Sequence, residues 1–211
     1  MNLDKMYNLA ISAAETDPSP ELEQLAQMIR LEIESQIARS EGRKNVYKNI
    51  LTFIKKAKAY NQGYSGIFKN GERWAVTNGV VGVMFAGLEP KDLPILETKG
   101  PDLDNVLNQV RSDCVSPIEI MSETELKTFY RVQSAECKSS GDDPIIRIGN
   151  NFYNTEFVVL VYSVMEDIDE ARENAKTKML YLKDRQGNEA AIAGLLLEDK
   201  EIERYNEKYH A

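Results

Sequence analysis

With 211 residues, 42% of them hydrophobic and 28% charged, the chain has room for one large domain or two small ones and can bury a real core. A net charge of −8 excludes general adhesion of the whole molecule to nucleic acid, while leaving room for a local basic face. Residues 1–17 carry acidic side chains and no long apolar run, so no signal peptide or membrane anchor is expected; no stretch approaches the roughly 20 apolar residues of a membrane helix.

Residues 1–42 are predicted as two helices. The stronger signal is SPELEQLAQMIRLEIESQIARS, residues 19–40. Ser19 suits the cap, Pro20 the first turn, and Glu21 and Glu23 the positive end of the dipole. Leu22, Leu25, Ile29, Ile33 and Ile37 recur at three- and four-residue spacing as one apolar stripe. That stripe can fold back on its own chain or meet a partner. Residues 43–59, RKNVYKNILTFIKKAKA, predict a further amphipathic helix with Val46, Ile50, Phe53, Ile54 and Ala57 on one side. Lys44, Lys48, Lys55 and Lys58 fall within about 80° of arc on the other. The segment holds six basic residues (Arg43, Lys44, Lys48, Lys55, Lys56, Lys58) and no acidic one, a local inversion of the molecule's sign.

YSGIFKNGERWAVTNG, residues 64–79, predicts a hairpin about Lys69-Asn70-Gly71, because Asn-Gly supplies the positive φ of tight turns. A second Asn-Gly at 78 and 79 predicts a third strand from Val80 to Phe85. Residues 88–105 read as a polar surface loop and 117–121 as a strand. Ser122 and Glu125 form the capping box of a helix over 122–138. SSGDDP, residues 139–144, marks a loop between two halves. A strand at Ile145–Ile148, a turn over 149–154 and a helix capped by Asn154 come next, then strands near 178–183 and 190–197 about Gln186-Gly187-Asn188. FVVLVYSV, within that helix, prefers strand by propensity, while a buried helix can carry the same composition and periodicity does not separate them; helix is taken partly on the resemblance given next. Residues 198–211 are a charged tail that frays or adds a short helix.

Read as a strand, a helix and three strands, each half resembles the repeating unit of the bacterial DNA polymerase sliding clamp (beta subunit) family and its phage and prophage relatives. FYNTEFVVLVYSV resembles the family segment that opens a helix with an F-N-x-x-[YF]-L-x-x-x-L pattern. WAVTNGVVGVMFA resembles its turn between a threonine-bearing strand and a strand of alternating hydrophobics. SETELKTFYRVQSAECKSS is similar to a helix that clamp-like phage proteins place between repeats. The resemblance implies an α+β, clamp-like domain over residues 43–197, with repeats at 43–116 and 144–197 joined by a strand–helix connector at 117–143. Residues 1–42 become a helical extension and 198–211 a tail. Three departures stand out: helices occupy residues 1–42 where the family begins with a strand, Asn78 replaces an acidic turn residue, and residues 154–176 hold six acidic side chains against two basic ones. An acidic second helix contrasts with the basic helices that line clamp channels.

What this implies is a non-catalytic accessory protein of DNA replication, a processivity-factor-like tether. Duplex DNA is met by Lys44, Lys48, Lys55 and Lys58, and its protein partners are of replication type. Encirclement would take roughly six copies of a one-domain chain, so a monomer or homodimer without a closed ring is expected. The alternative is a structural or protein-interaction module that keeps the fold without DNA.

No catalytic or metal residue is expected, and no cofactor. The single histidine, His210, is next to last, and no Walker-type or G-x-G-x-x-G loop is present. Cys114 and Cys137 lack metal-ligand spacing, which predicts free thiols in a cytoplasmic protein. Glu166, Asp167, Asp169 and Glu170 read as a solvated helix end, because a calcium loop's glycine and spacing are missing. Trp74 and Phe85 can stack bases but fit a sheet core better. The lysines have two readings as well: the ordinary polar face of a helix, or a surface that tracks phosphates.

Overall fold

The computed structural model describes residues 3–42, 44–90, 93–96, 99–113, 116–174 and 176–209. At its centre is an antiparallel sheet in the order β1 (Phe68–Asn70), β2 (Arg73–Thr77), β3 (Val81–Phe85), β9 (Glu189–Ala193), β8 (Met179–Asp184), β7 (Ile168–Asn174) and β4 (Ser116–Pro117). Helix α3 (Val46–Tyr60) leads into β1–β2–β3, and α6 (Thr155–Val164) leads into β7–β8–β9. Both halves therefore run α–β–β–β. They join through their third strands, with Val81 opposite Ile192 and Met84 opposite Glu189. The α+β class expected from the sequence holds, and residues 155–164 are helical.

Local chemistry explains these elements. Asn154 Oδ1 accepts from the backbone N–H of Glu156 (2.9 Å) and starts α6; the helix is then apolar nearly all round because it is buried nearly all round. Gly71 (φ 62°) turns β1 into β2, and Gly187 (φ 86°) turns β8 into β9, both in the region that glycine enters at no steric cost. Register places the first turn at Gly71-Glu72, one residue later than expected, with Asn70 paired to Arg73.

The strands alternate between two cores. Val81, Val83, Phe85, Leu180, Leu182, Ala190 and Ile192 face α3 and α6. Met84, Tyr181 and Ala191 face the other side, where α4 (Leu103–Asp113) lies on the sheet. Period-2 alternation with apolar residues in both phases is the pattern of a strand covered on both faces.

Several expectations need correction. The loop read over 88–105 gives way to α4 from Leu103; Leu103, Leu107 and Val110 form its buried face. The strand expected at 117–121 is only Ser116–Pro117, plus one bond from Ile118 N to Ala171 O (3.1 Å). The turn read over 149–154 contains a strand, β6 (Asn151–Asn154), which pairs with β5 (Ile145–Ile148) as a separate two-stranded sheet. No acidic second helix exists. Helix α6 ends at Val164, and Asp169, Glu170 and Glu173 sit on β7. Buried Glu173 accepts hydrogen bonds from Asn150 and Asn151, which makes its burial tolerable.

The remaining helices surround this frame. The apolar stripe of α2 (Pro20–Ser40) is not laid on the sheet: α1 (Leu3–Thr16) packs on it through Ala10, Ala26 and Ile29, leaving Leu25 and Ile37 exposed. The capping box of α5 (Glu123–Ser140) is present as expected. The tail forms α7 (Asp199–Tyr209), docked through Tyr205, whose hydroxyl accepts from Arg147 N (3.0 Å).

The chain itself covers part of each side of the main sheet. On one side β4, which contains Pro117, covers β7. On the other, Ile67 bridges Ile95 in parallel, with Ile67 N donating to Pro94 O (2.8 Å) and Leu96 N to Ile67 O (2.7 Å). Short, Pro-bearing and partly covered edges hinder a sheet from extending into a second copy. The strap depends on Gly66, where a Cβ would stand 2.6 Å from Pro94 O and 2.8 Å from Leu96 N. Gly66→Ala is expected to cost about 1–3 kcal/mol through this clash and to make the chain associate as concentration rises. Light scattering of the unaltered protein should give one or two chains, and a stable larger ring would overturn this account of the edges.

Candidate nucleic-acid interface

Helix α3 begins later than its basic run suggests, because Asn45 is the cap: its Oδ1 accepts from Lys48 N (3.0 Å). Its Nδ2 also donates to Ser35 Oγ (2.7 Å), which fastens α2 to the start of α3. Ile50, Phe53, Ile54 and Ala57 face the sheet, leaving Lys48, Lys55 and Lys58 exposed. None of these three has an acidic partner among the described residues.

Lys44 does not belong to that face. It precedes the helix, and its Nζ donates to Tyr162 O (2.6 Å) and Met165 O (2.5 Å) at the C-terminal end of α6 while pairing with Glu123 (2.7 Å). A lysine here satisfies end carbonyls and meets the negative end of the dipole. Burial tends to raise the Glu123 carboxyl, but Lys127 and Lys44 outweigh it and hold the group below its ordinary value. Lys56 is also engaged, paired with Glu156 of α6. Arg43 lies outside the described residues.

The contacts of Lys44 and Lys56 show how the two helices lie. The start of α3 sits at the end of α6, and the end of α3 at its start. They are antiparallel, like the two central strands beneath them. At the far end Tyr60 meets Phe157 edge to face, ring centroids 5.4 Å apart.

The other expected residues fall elsewhere. Trp74 is half-buried and Phe85 buried, both against the main core, so neither is open to a base. Cys137 is half-buried on α5, where burial pushes its thiol up; Cys114 and His210 lie outside the described residues. Among the described residues no His, Cys, Asp and Glu group could hold a metal ion, and no helix is long and apolar enough to cross a membrane.

On the opposite face of the sheet lies a second polar cluster. Glu189 accepts from Arg73 (2.7 Å) and Tyr181 Oη (2.6 Å) and pairs with Arg111 of α4, while Arg73 also holds Asp104 (2.8 Å). Burial raises the Glu189 carboxyl, yet the bonds from Arg73 and Tyr181 and the nearby arginine charges bring it below its ordinary value. Burial and the same carboxylate push Tyr181 up. Every member is partnered, so the cluster fastens α4 to the sheet.

No family model, curated protein or solved structure matches this chain.

Proposed function

We propose that this protein is a non-catalytic, clamp-like accessory protein that associates with DNA through the outer face of α3. It serves as a one-domain tether or scaffold for DNA-processing partners and does not encircle DNA. The observation that carries this reading is the doubled α–β–β–β order, joined through β3 and β9, with α3 and α6 antiparallel above the joint. The clamp-like motifs imply a strand, a helix and three strands in each half; the α–β–β–β part supports the reading, although helices precede it in the first half and the strands before α6 form a separate two-stranded sheet. The loss of the acidic second helix removes the main objection to DNA on this layer. Phosphates ask only for positive charge on a rigid element, which Lys48, Lys55 and Lys58 supply.

Titration of the protein against labelled duplex DNA tests the reading. Three phosphate contacts predict that log Kobs falls against log salt with a slope of about −2.7. Changing Lys48, Lys55 and Lys58 together to glutamate should abolish binding and leave the fold intact. Undetectable binding at low salt, or binding that survives the triple change, would sink the proposal. A second reading, a protein-interaction module without DNA, is favoured by the commitment of Lys44 and Lys56 to internal bonds. It expects no duplex binding at any salt concentration.

A further inference from the structure

Helix α6 lies in a trough between two other helices. Every residue of Thr155–Val164 is buried or half-buried. On one side α3 reaches it, Asn49 Nδ2 donating to Ser163 O (2.6 Å). On the other stands α5: Thr155 Oγ1 donates to Gln133 Oε1 (2.7 Å), and Tyr162 Oη to Met121 O (3.2 Å), just before α5 begins. These contacts set the start of α5 at the end of α6, so α5 is antiparallel to α6 and parallel to α3. Neighbouring helices pack about 8–10 Å apart, which puts the axes of α3 and α5 up to roughly 16–20 Å apart.

The α5 bank of this trough is basic. At about 100° per residue, Lys127, Arg131 and Lys138 fall within about 40° of arc, roughly 100–140° round from buried Leu126. They stand opposite Phe129 and Glu136, which meet Tyr209 and Lys208 of α7. With α7 on that flank, the stripe occupies the flank toward α6. Lys127 pairs there with Glu123 (2.6 Å), and Glu123 with Lys44 at the end of α6 (2.7 Å). Lys127 is thus spent on Glu123, but Arg131 and Lys138 are exposed and have no acidic partner among the described residues. Across the trough Lys48 and Lys55 project from α3 opposite buried Ile50 and Ala57, and Glu156 between the banks is neutralised by Lys56. The four- and seven-residue spacing of the α5 stripe was visible in the sequence; its place beside α6 was not.

We infer that α5 supplies a second row of phosphate contacts, Arg131 and Lys138, so that duplex DNA lies along α6 between this row and the lysines of α3. Two rows this far apart suit the two backbones that bound a groove about 12 Å wide. The inference rests on the reading that α3 binds DNA, and it adds a second helix to that surface.

Titration of labelled duplex against the full chain over a salt series tests it. The α3 lysines alone give a slope of about −2.7, whereas five contacts give about −4.5. Arg131→Ala with Lys138→Ala should return the slope to about −2.7. It should also weaken binding roughly 60-fold at about 0.1 M salt, where each contact is worth about 0.9 of a decade. The control removes equal charge near α4: exposed Lys99, shortly before that helix, and exposed Lys176, beside Thr177, which lines a cavity with Val106 and Val110. Lys99→Ala with Lys176→Ala should leave the slope unchanged. Circular dichroism verifies that both double variants fold. A slope of about −2.7 in the unaltered protein, unchanged in the α5 variant, overturns the second row and leaves the α3 proposal standing. So does an equal loss in the two double variants, which reports net charge alone. No duplex binding by the unaltered protein overturns both.

Discussion

Glu189→Gln is expected to lower folding stability by about 3 kcal/mol near neutral pH, the low end of what removing one partner of a buried ion pair costs. The low end applies because the partners are not equally buried. The Glu189 side chain is 7% exposed, but those of Arg73 and Arg111 are 28% and 42% exposed and can return partly to water. Tyr181, 1% exposed, cannot: its hydroxyl keeps only the weaker amide acceptor of the glutamine. The effect carries a pH signature. Because the folded Glu189 carboxyl lies below its ordinary value, its contribution is complete above that ordinary value and is lost as pH falls through the lowered one. The gap between the unaltered protein and Glu189→Gln should therefore close in acid. Urea unfolding at neutral pH and at about pH 3 measures it. A gap below about 0.5 kcal/mol at neutral pH, or one that persists in acid, would show that the cluster does not fasten α4 to the sheet.

What the sequence disclosed and what it hid follow one physical division. Signals carried within a few residues were legible: the cap of α2, the capping box of α5, the glycine turns, and the periodic split of α3 into apolar and lysine-bearing sides. Features made by distant contacts were not. Strand β7 reads IDEAREN, which has strand character only once Asn150 and Asn151 satisfy Glu173 and β8 supplies the ladder. Helix α4 hides in a Pro- and Asp-rich stretch because its three buried apolar residues mean something only against Phe68, Ala75 and Met84 of the sheet. Helix α6 shows the reverse case: its β-branched composition points to strand, and the doubled order of elements identified the helix correctly because tertiary burial overrides propensity. The exposure of Lys48, Lys55 and Lys58 on one side of α3 was legible from spacing alone. Lys44 was misplaced because Asn45, a one-residue capping signal inside a basic run, moves the helix start past it, and its carbonyl partners on α6 lie more than a hundred residues away.

Phe53→Ala is expected to cost about 3–5 kcal/mol, the usual range when a fully buried aromatic is truncated. Phe53 has no exposed surface and belongs to the core that α3 and α6 share with β3 and β9. Ile50, Ile54, Val158 and Val161 belong to the same buried core, all on helices fixed by their own hydrogen bonds, so little can move to fill the space. The triple lysine change to glutamate alters the same helix on its opposite side, where surface substitutions shift stability by about 0.5 kcal/mol or less each. The two variants should therefore separate the duties of α3. Phe53→Ala lowers the unfolding midpoint strongly and, in whatever fraction stays folded, leaves nucleic-acid affinity alone. The lysine variant does the opposite. Urea unfolding and DNA titration on both proteins decide the matter. If the lysine variant unfolds as readily as Phe53→Ala, its loss of binding reports the fold and not the face, and α3 can no longer be assigned two independent sides.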